Sequence, residues 1–107
     1  MFIARVNGSL VATQKVEPMV GYKLLLVEPF RLDPDTRTRL VATGRTFVAV
    51  DTIGSGEGDF VLITQGSSAR LTSETKNLPI DAVVVGMVDT VHVHQQCVYS
   101  RESDEPL

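Results

Sequence analysis

A chain of 107 residues, 43% hydrophobic and 21% charged, has material for one domain with an ordinary globular core. Thirteen acidic residues against ten basic ones leave a net charge of −3, which argues against the basic face of a freestanding nucleic-acid binder. A single cysteine excludes an internal disulfide, and no apolar run approaches the length of a membrane span. No charged-then-apolar leader opens the sequence, so the expectation is a soluble cytoplasmic protein that meets neither membrane nor nucleic acid. With aromatics at 6% and no tryptophan, the core must come from Val, Leu, Ile and Ala.

The pattern predicts an all-β domain with strands near 2–13, 22–28, 46–51, 60–65 and 82–93, and a short sixth near 96–99. Asn7-Gly8 is the dipeptide of a tight hairpin. Folding back there would mix apolar and polar residues on one side. A straight strand instead keeps Phe2, Ala4, Val6, Leu10 and Ala12 on one face with Gly8. The prediction is therefore one long strand bent at Gly8. The segment Tyr22–Glu28 is apolar on both faces, as a strand covered on both sides should be. Residues 29–45 are polar around Asp33-Pro34-Asp35 and read as a long, variable loop. One or two helical turns are expected within 67–77, capped by Ser67 or Ser68. Residues 1–99 form the domain, and the polar stretch 100–107 reads as a loosely held tail. Together these elements suggest a small five-stranded, OB-like barrel with one short helix. In strand 82–93, Val83, Val85 and Met87 alternate with Val84, Gly86 and Val88. A lone barrel covers only one such face, so a second subunit is expected on the other, the alternative being burial under the long 29–45 loop.

Four groups of residues invite a chemical reading. Gly54-Ser55-Gly56-Glu57-Gly58 has the look of a phosphate cradle, but it joins two strands and carries Glu57 and Asp59 where phosphate would be repelled. Gly66-Ser67-Ser68-Ala69-Arg70 offers serines with no histidine near in sequence, and reads better as a close-packed contact with an arginine fork than as a nucleophile. His92, His94 and Cys97 have a metal-like spacing, with both imidazoles emerging on one face of a strand, yet no fourth ligand follows. Asp51 and Asp89 read as anchors of loop amides and Asp81 as a turn residue; nothing pairs two of them for acid–base work. No catalytic residue, metal or cofactor is therefore assigned.

Several of these segments also occur together in a fixed order. Met1–Gly8 leads to Ala12-Thr13-Gln14-Lys15 and Gly21–Val27; then come Val50–Leu62, Gly66–Arg70 and Pro79–Val91. In this arrangement the chain resembles the EutN/CcmL family of pentameric vertex proteins of bacterial microcompartment shells. The likeness covers roughly residues 1–91, and Gly-Ser-Ser-Ala-Arg with Pro-x-Asp-Ala is its most specific part. It implies an OB-like barrel that assembles as a cyclic homopentamer among hexagonal shell tiles, with no active site. It also implies an interface or pore role for Gly54, Ser55, Gly56, Gly66, Ser67, Ser68, Ala69, Arg70, Asp81 and Asp89. The alternative from another class is an OB-like module that binds single-stranded nucleic acid or oligosaccharide. The acidic balance and scarce aromatics speak against it.

Overall fold

The computed structural model describes residues 1–12, 22–66 and 81–102. Its elements are β1 (Phe2–Leu10), β2 (Lys23–Leu32), β3 (Leu40–Ala42), β4 (Phe47–Asp51), β5 (Phe60–Gln65), β6 (Ala82–Met87), β7 (Thr90–Val93) and β8 (Gln96–Ser100). Strands follow one another in the order β1-β5-β6-β4-β2, and β1 pairs with β2 to close the ring into a five-stranded barrel. All barrel pairings are antiparallel except β4 with β6, which run parallel. Closure leaves the barrel without an edge of its own. The predicted helix within 67–77 lies outside the described residues.

β1 does run through Asn7-Gly8, but the common face expected for Phe2, Ala4, Val6, Leu10 and Ala12 holds only to Val6. Beyond it Leu10 lies opposite Leu24, outside the interior set, and is 41% exposed. The partners of β1 on β2 jump from Val27 opposite Val6 to Leu26 opposite Gly8, so Asn7 is the extra residue of a bulge. The bulge accommodates an Asn-Gly pair that would otherwise reverse the chain. Alternation does the rest: Ala4, Val6, Leu25, Val27, Ala49, Val61, Ile63, Ala82 and Val84 fill the interior, all nearly or fully excluded from solvent.

Three parts differ from the sequence-based expectation. The stretch 29–45 is not all loop, since two strand segments within it form a ribbon. β2 continues through Pro29 to Leu32 and folds back onto β3, with Leu32 opposite Leu40. The turn between them is built by Asp33, whose side chain accepts from the Asp35 amide at 2.9 Å and whose carbonyl accepts from the Arg37 amide at 2.8 Å. The Asp35 amide, helped by the Thr36 amide and the Arg39 guanidinium, holds the Asp33 carboxyl below its ordinary value of 3.8.

The predicted strand 82–93 is two strands. It breaks at Val88-Asp89, where the Val88 amide donates to the Phe60 carbonyl at 2.8 Å and the chain leaves the barrel. Among the described residues β7 then pairs only with β8, as a separate hairpin. Nor does Ala82–Val84 keep a whole face for a partner. Parallel pairing sets Val83 beside Val50, and Leu24 joins them in a buried cluster on the outside of the barrel. What stays exposed on that side is Val48 at 46% and Val85 at 39%, with Ile53 at 43% just beyond β4.

A third cluster closes one flank. Phe30, Leu40 and Phe60 pack together and are overlain by Val88, Val91, Val98 and Tyr99 from the approach to β7 and from β7–β8. Phe60 sits at the centre of this group, edge-on to Phe30 at 5.0 Å and tilted against Tyr99 at 4.4 Å between centroids.

Candidate functional site

The Gly54–Gly58 loop leaves β4 through Asp51, a buried carboxylate. Its oxygens accept from the amides of Ile53 (3.2 Å), Gly54 (3.1 Å) and Ser55 (3.2 Å), and from the Ser55 hydroxyl (2.9 Å). Asp59 performs the same service one turn on, taking the Gly56 amide at 2.9 Å. These are the amides a bound phosphate would need, and the chain's own carboxylates already occupy them. The phosphate reading of this loop therefore fails on geometry as well as on charge.

Two further contacts fix the loop in place. Lys23 donates from Nζ to the Ser55 carbonyl at 2.9 Å, and Gly58 donates to the Val6 carbonyl at 2.8 Å. Lys23 lies opposite Asp51 in the β2–β4 register, so the ladder itself delivers the ammonium to the loop. Nothing in the sequence singled out Lys23, because its role depends on a partner 32 residues away. Ser55 is completely buried and Asp51 spent on amides, so neither is available as a nucleophile or a base.

Gly54 and Gly58 have φ of +85° and +89°, the left-handed region that a side chain enters at a cost. Space is not the obstacle, since a Cβ at Gly58 would meet nothing within 4 Å. Gly58→Ala is thus expected to cost about 1–2 kcal/mol through backbone strain alone. A urea titration of the variant checks it; an unchanged midpoint would mean that the loop relaxes freely.

Gly66, with φ of +69°, donates to the carbonyl of Asp81 at 2.7 Å. This bond brings together the two ends of the segment 67–80. Ser67, Ser68, Ala69 and Arg70 themselves lie outside the described residues. Loop 54–58 and the Gly66–Asp81 pair sit at opposite ends of β5, a strand of six residues and about 17 Å. They cannot build one site within a single protomer.

Asp89 lies at the base of the β7–β8 hairpin. Its carbonyl accepts from the Arg101 amide at 2.8 Å, and its carboxylate faces the Arg101 guanidinium at 3.8 Å, both side chains well exposed. The two histidines are not arranged as a pair. His94 and Gln95, with φ of +51° and +64°, form the tight turn of that hairpin, so His94 has left the extended geometry that would put it beside His92. Exposed Cys97 stands opposite His92 and donates to the Tyr99 carbonyl at 3.1 Å. Among the described residues no three His, Cys, Asp or Glu side chains converge as metal ligands.

Comparison with known proteins bears on what such a barrel does. Residues 1–89 match the sequence profile of the family described as "Ethanolamine utilisation protein EutN/carboxysome". The bacterial microcompartment shell vertex protein PduN of Salmonella typhimurium is 45% identical over 91 residues, covering 85% of this chain and 98% of that protein. The structure of CcmL from Gloeobacter violaceus superposes with a TM-score of 0.84 at 37% identity, over 96% of this chain and 100% of that one. The GrpN pentameric microcompartment shell protein from Rhodospirillum rubrum superposes with a TM-score of 0.73 at 41% identity, over 87% and 99% of the two chains.

Proposed function

The chain belongs to the EutN/CcmL family, and on that premise we propose that it is a vertex protein of a bacterial microcompartment shell. Five copies close into a ring that caps a vertex of the polyhedral wall, in the bacterial cytoplasm. The observation that carries this reading is the agreement of the barrel with a pentameric shell protein along nearly that protein's whole length. The task is geometric. A sheet of hexagonal tiles is flat, and one pentagon among them forces the curvature that lets the sheet close. A head-to-tail ring meets this need because its interface joins two different surfaces of the protomer.

Two features support the assignment. Exposed Val48, Ile53 and Val85 offer apolar area on the outside of β4 and β6 that a neighbouring copy can cover. The two small-residue segments, 54–58 and 66–70, begin at opposite ends of β5, where head-to-tail contacts would draw on each separately. The protein's partners are then its own copies and the hexagonal tiles, and its work needs no catalysis, cofactor or nucleic acid.

Light scattering on the purified protein is expected to give five times the chain mass. Arg70→Glu is expected to leave a folded chain that no longer forms the ring or closes a shell. A monomer at high concentration overturns the reading. Unchanged rings and shells in the Arg70→Glu protein remove Arg70 from the interface.

A further inference from the structure

The flank of the barrel beside the third cluster holds a groove of about 240 Å³, lined by Arg5, Phe30, Arg39, Leu40, Val41 and Ala42. Its chemistry is two-sided, with two guanidinium groups over an apolar floor. Arg5 lies over the Phe30 ring, 5.5 Å from its centroid, and gives its Nε proton to Asn7 at 3.0 Å. Arg39 meets Asp33 only at 3.5 Å, and its side chain is 70% exposed, so most of its donors face water. The surroundings reinforce the charge. Residues 29–45 carry four arginines and two aspartates in a chain whose net charge is −3.

We propose that this groove is the docking site of the chain's own acidic C-terminal segment, Ser103-Asp104-Glu105-Pro106-Leu107. Charge and polarity match in order, two carboxylates followed by two apolar residues. Reach is sufficient. Arg5 is opposite Phe60 in the β1–β5 register, Phe60 is bonded to Val88, and the next residue, Asp89, is bonded to Arg101. Arg101 therefore stands a few peptide widths from the groove, and the six residues to Leu107 extend up to about 20 Å. Tyr99 and Val98 of β8 already pack against the cluster of Phe30, Leu40 and Phe60, two of whose members line the groove, so the segment starts near its rim. Docked there, it straps the β7–β8 hairpin to the barrel.

The test uses the full chain with Cys97→Ser, carrying Val41→Cys in the groove and Leu107→Cys in the segment, under mild oxidation. We expect a disulfide within one chain, seen as a faster band on a non-reducing denaturing gel. Arg39→Glu should cut its yield about five-fold, and adding Asp104→Arg with Glu105→Arg should restore it. Val48→Cys with Leu107→Cys, on exposed Val48 outside the groove, gives the background. A yield no higher than that background, or one indifferent to Arg39→Glu, overturns the proposal. Cross-linked dimers overturn it as well, and place a second copy's segment in the groove. The result is independent of ring formation, which light scattering on the same samples reports.

Discussion

Replacing Asp51 by alanine is expected to lower stability by about 3–5 kcal/mol, a large share of the 5–15 kcal/mol that typically separates folded from unfolded chains. The reason lies in what the carboxylate leaves behind. Four donors converge on it, and Ser55, which supplies two of them, is fully buried. Water cannot replace the lost acceptor at Ser55 without opening the loop. Asp51→Asn tests the chemistry against the shape. The amide keeps one acceptor oxygen but turns an NH2 toward amide donors, so it should recover less than half of the loss. Urea denaturation of both variants measures this, and hydrogen exchange at the Ser55 amide should speed up in step. A loss below about 1 kcal/mol for alanine would mean that the loop finds other acceptors.

That network also shows how far a sequence can be read. Asp51 as an anchor of loop amides was legible, because an aspartate followed by a glycine-rich turn offers its oxygens to the next amides whatever the fold. Lys23 was not, since its hydrogen bond to Ser55 exists only once β2 and β4 are in register. The passage of β1 through Asn7-Gly8 was legible from the alternation that runs up to Val6, but the bulge at Asn7 was not, and it turns Leu10 off the face that a strict period of two assigns it. The ribbon made by β2 and β3 was hidden by Pro29 and by charged residues that suit a loop equally well; its buried side rests on Phe30 and Leu40, too few residues to set a period along the sequence. The break at Val88-Asp89 was hidden for the opposite reason. Valines continue on both sides of it, and only the hydrogen bond to Phe60 shows that the chain has changed partners. The histidine spacing misled because a spacing of two carries meaning in a strand and none across a turn.

Phe60→Ala is the second substitution with a large expected effect, about 3–5 kcal/mol, and its effect should be uneven across the molecule. Phe60 is 5% exposed and touches aromatic rings from both sides, Phe30 of β2 and Tyr99 of β8. It is the principal link between the barrel and the β7–β8 hairpin, which among the described residues pairs with no other strand. A two-stranded hairpin is marginal by itself in water. Deleting the ring should therefore release β7–β8 before the barrel melts, with amide exchange at Val91 and Tyr99 rising well ahead of that at Val27 or Ile63. Alkaline titration of the unmodified protein offers a gentler route to the same end. Burial raises the Tyr99 phenol above its usual 10.0, so the fold prefers the neutral ring. The stabilisation this gives is whole below pH 10 and fades as pH climbs through the raised value. The hairpin amides should respond first there too, and Tyr99→Phe should abolish that response while leaving the stack in place. Uniform loss of protection over barrel and hairpin, in either experiment, would show that the two unfold as one unit and that Phe60 is not a hinge of stability between them.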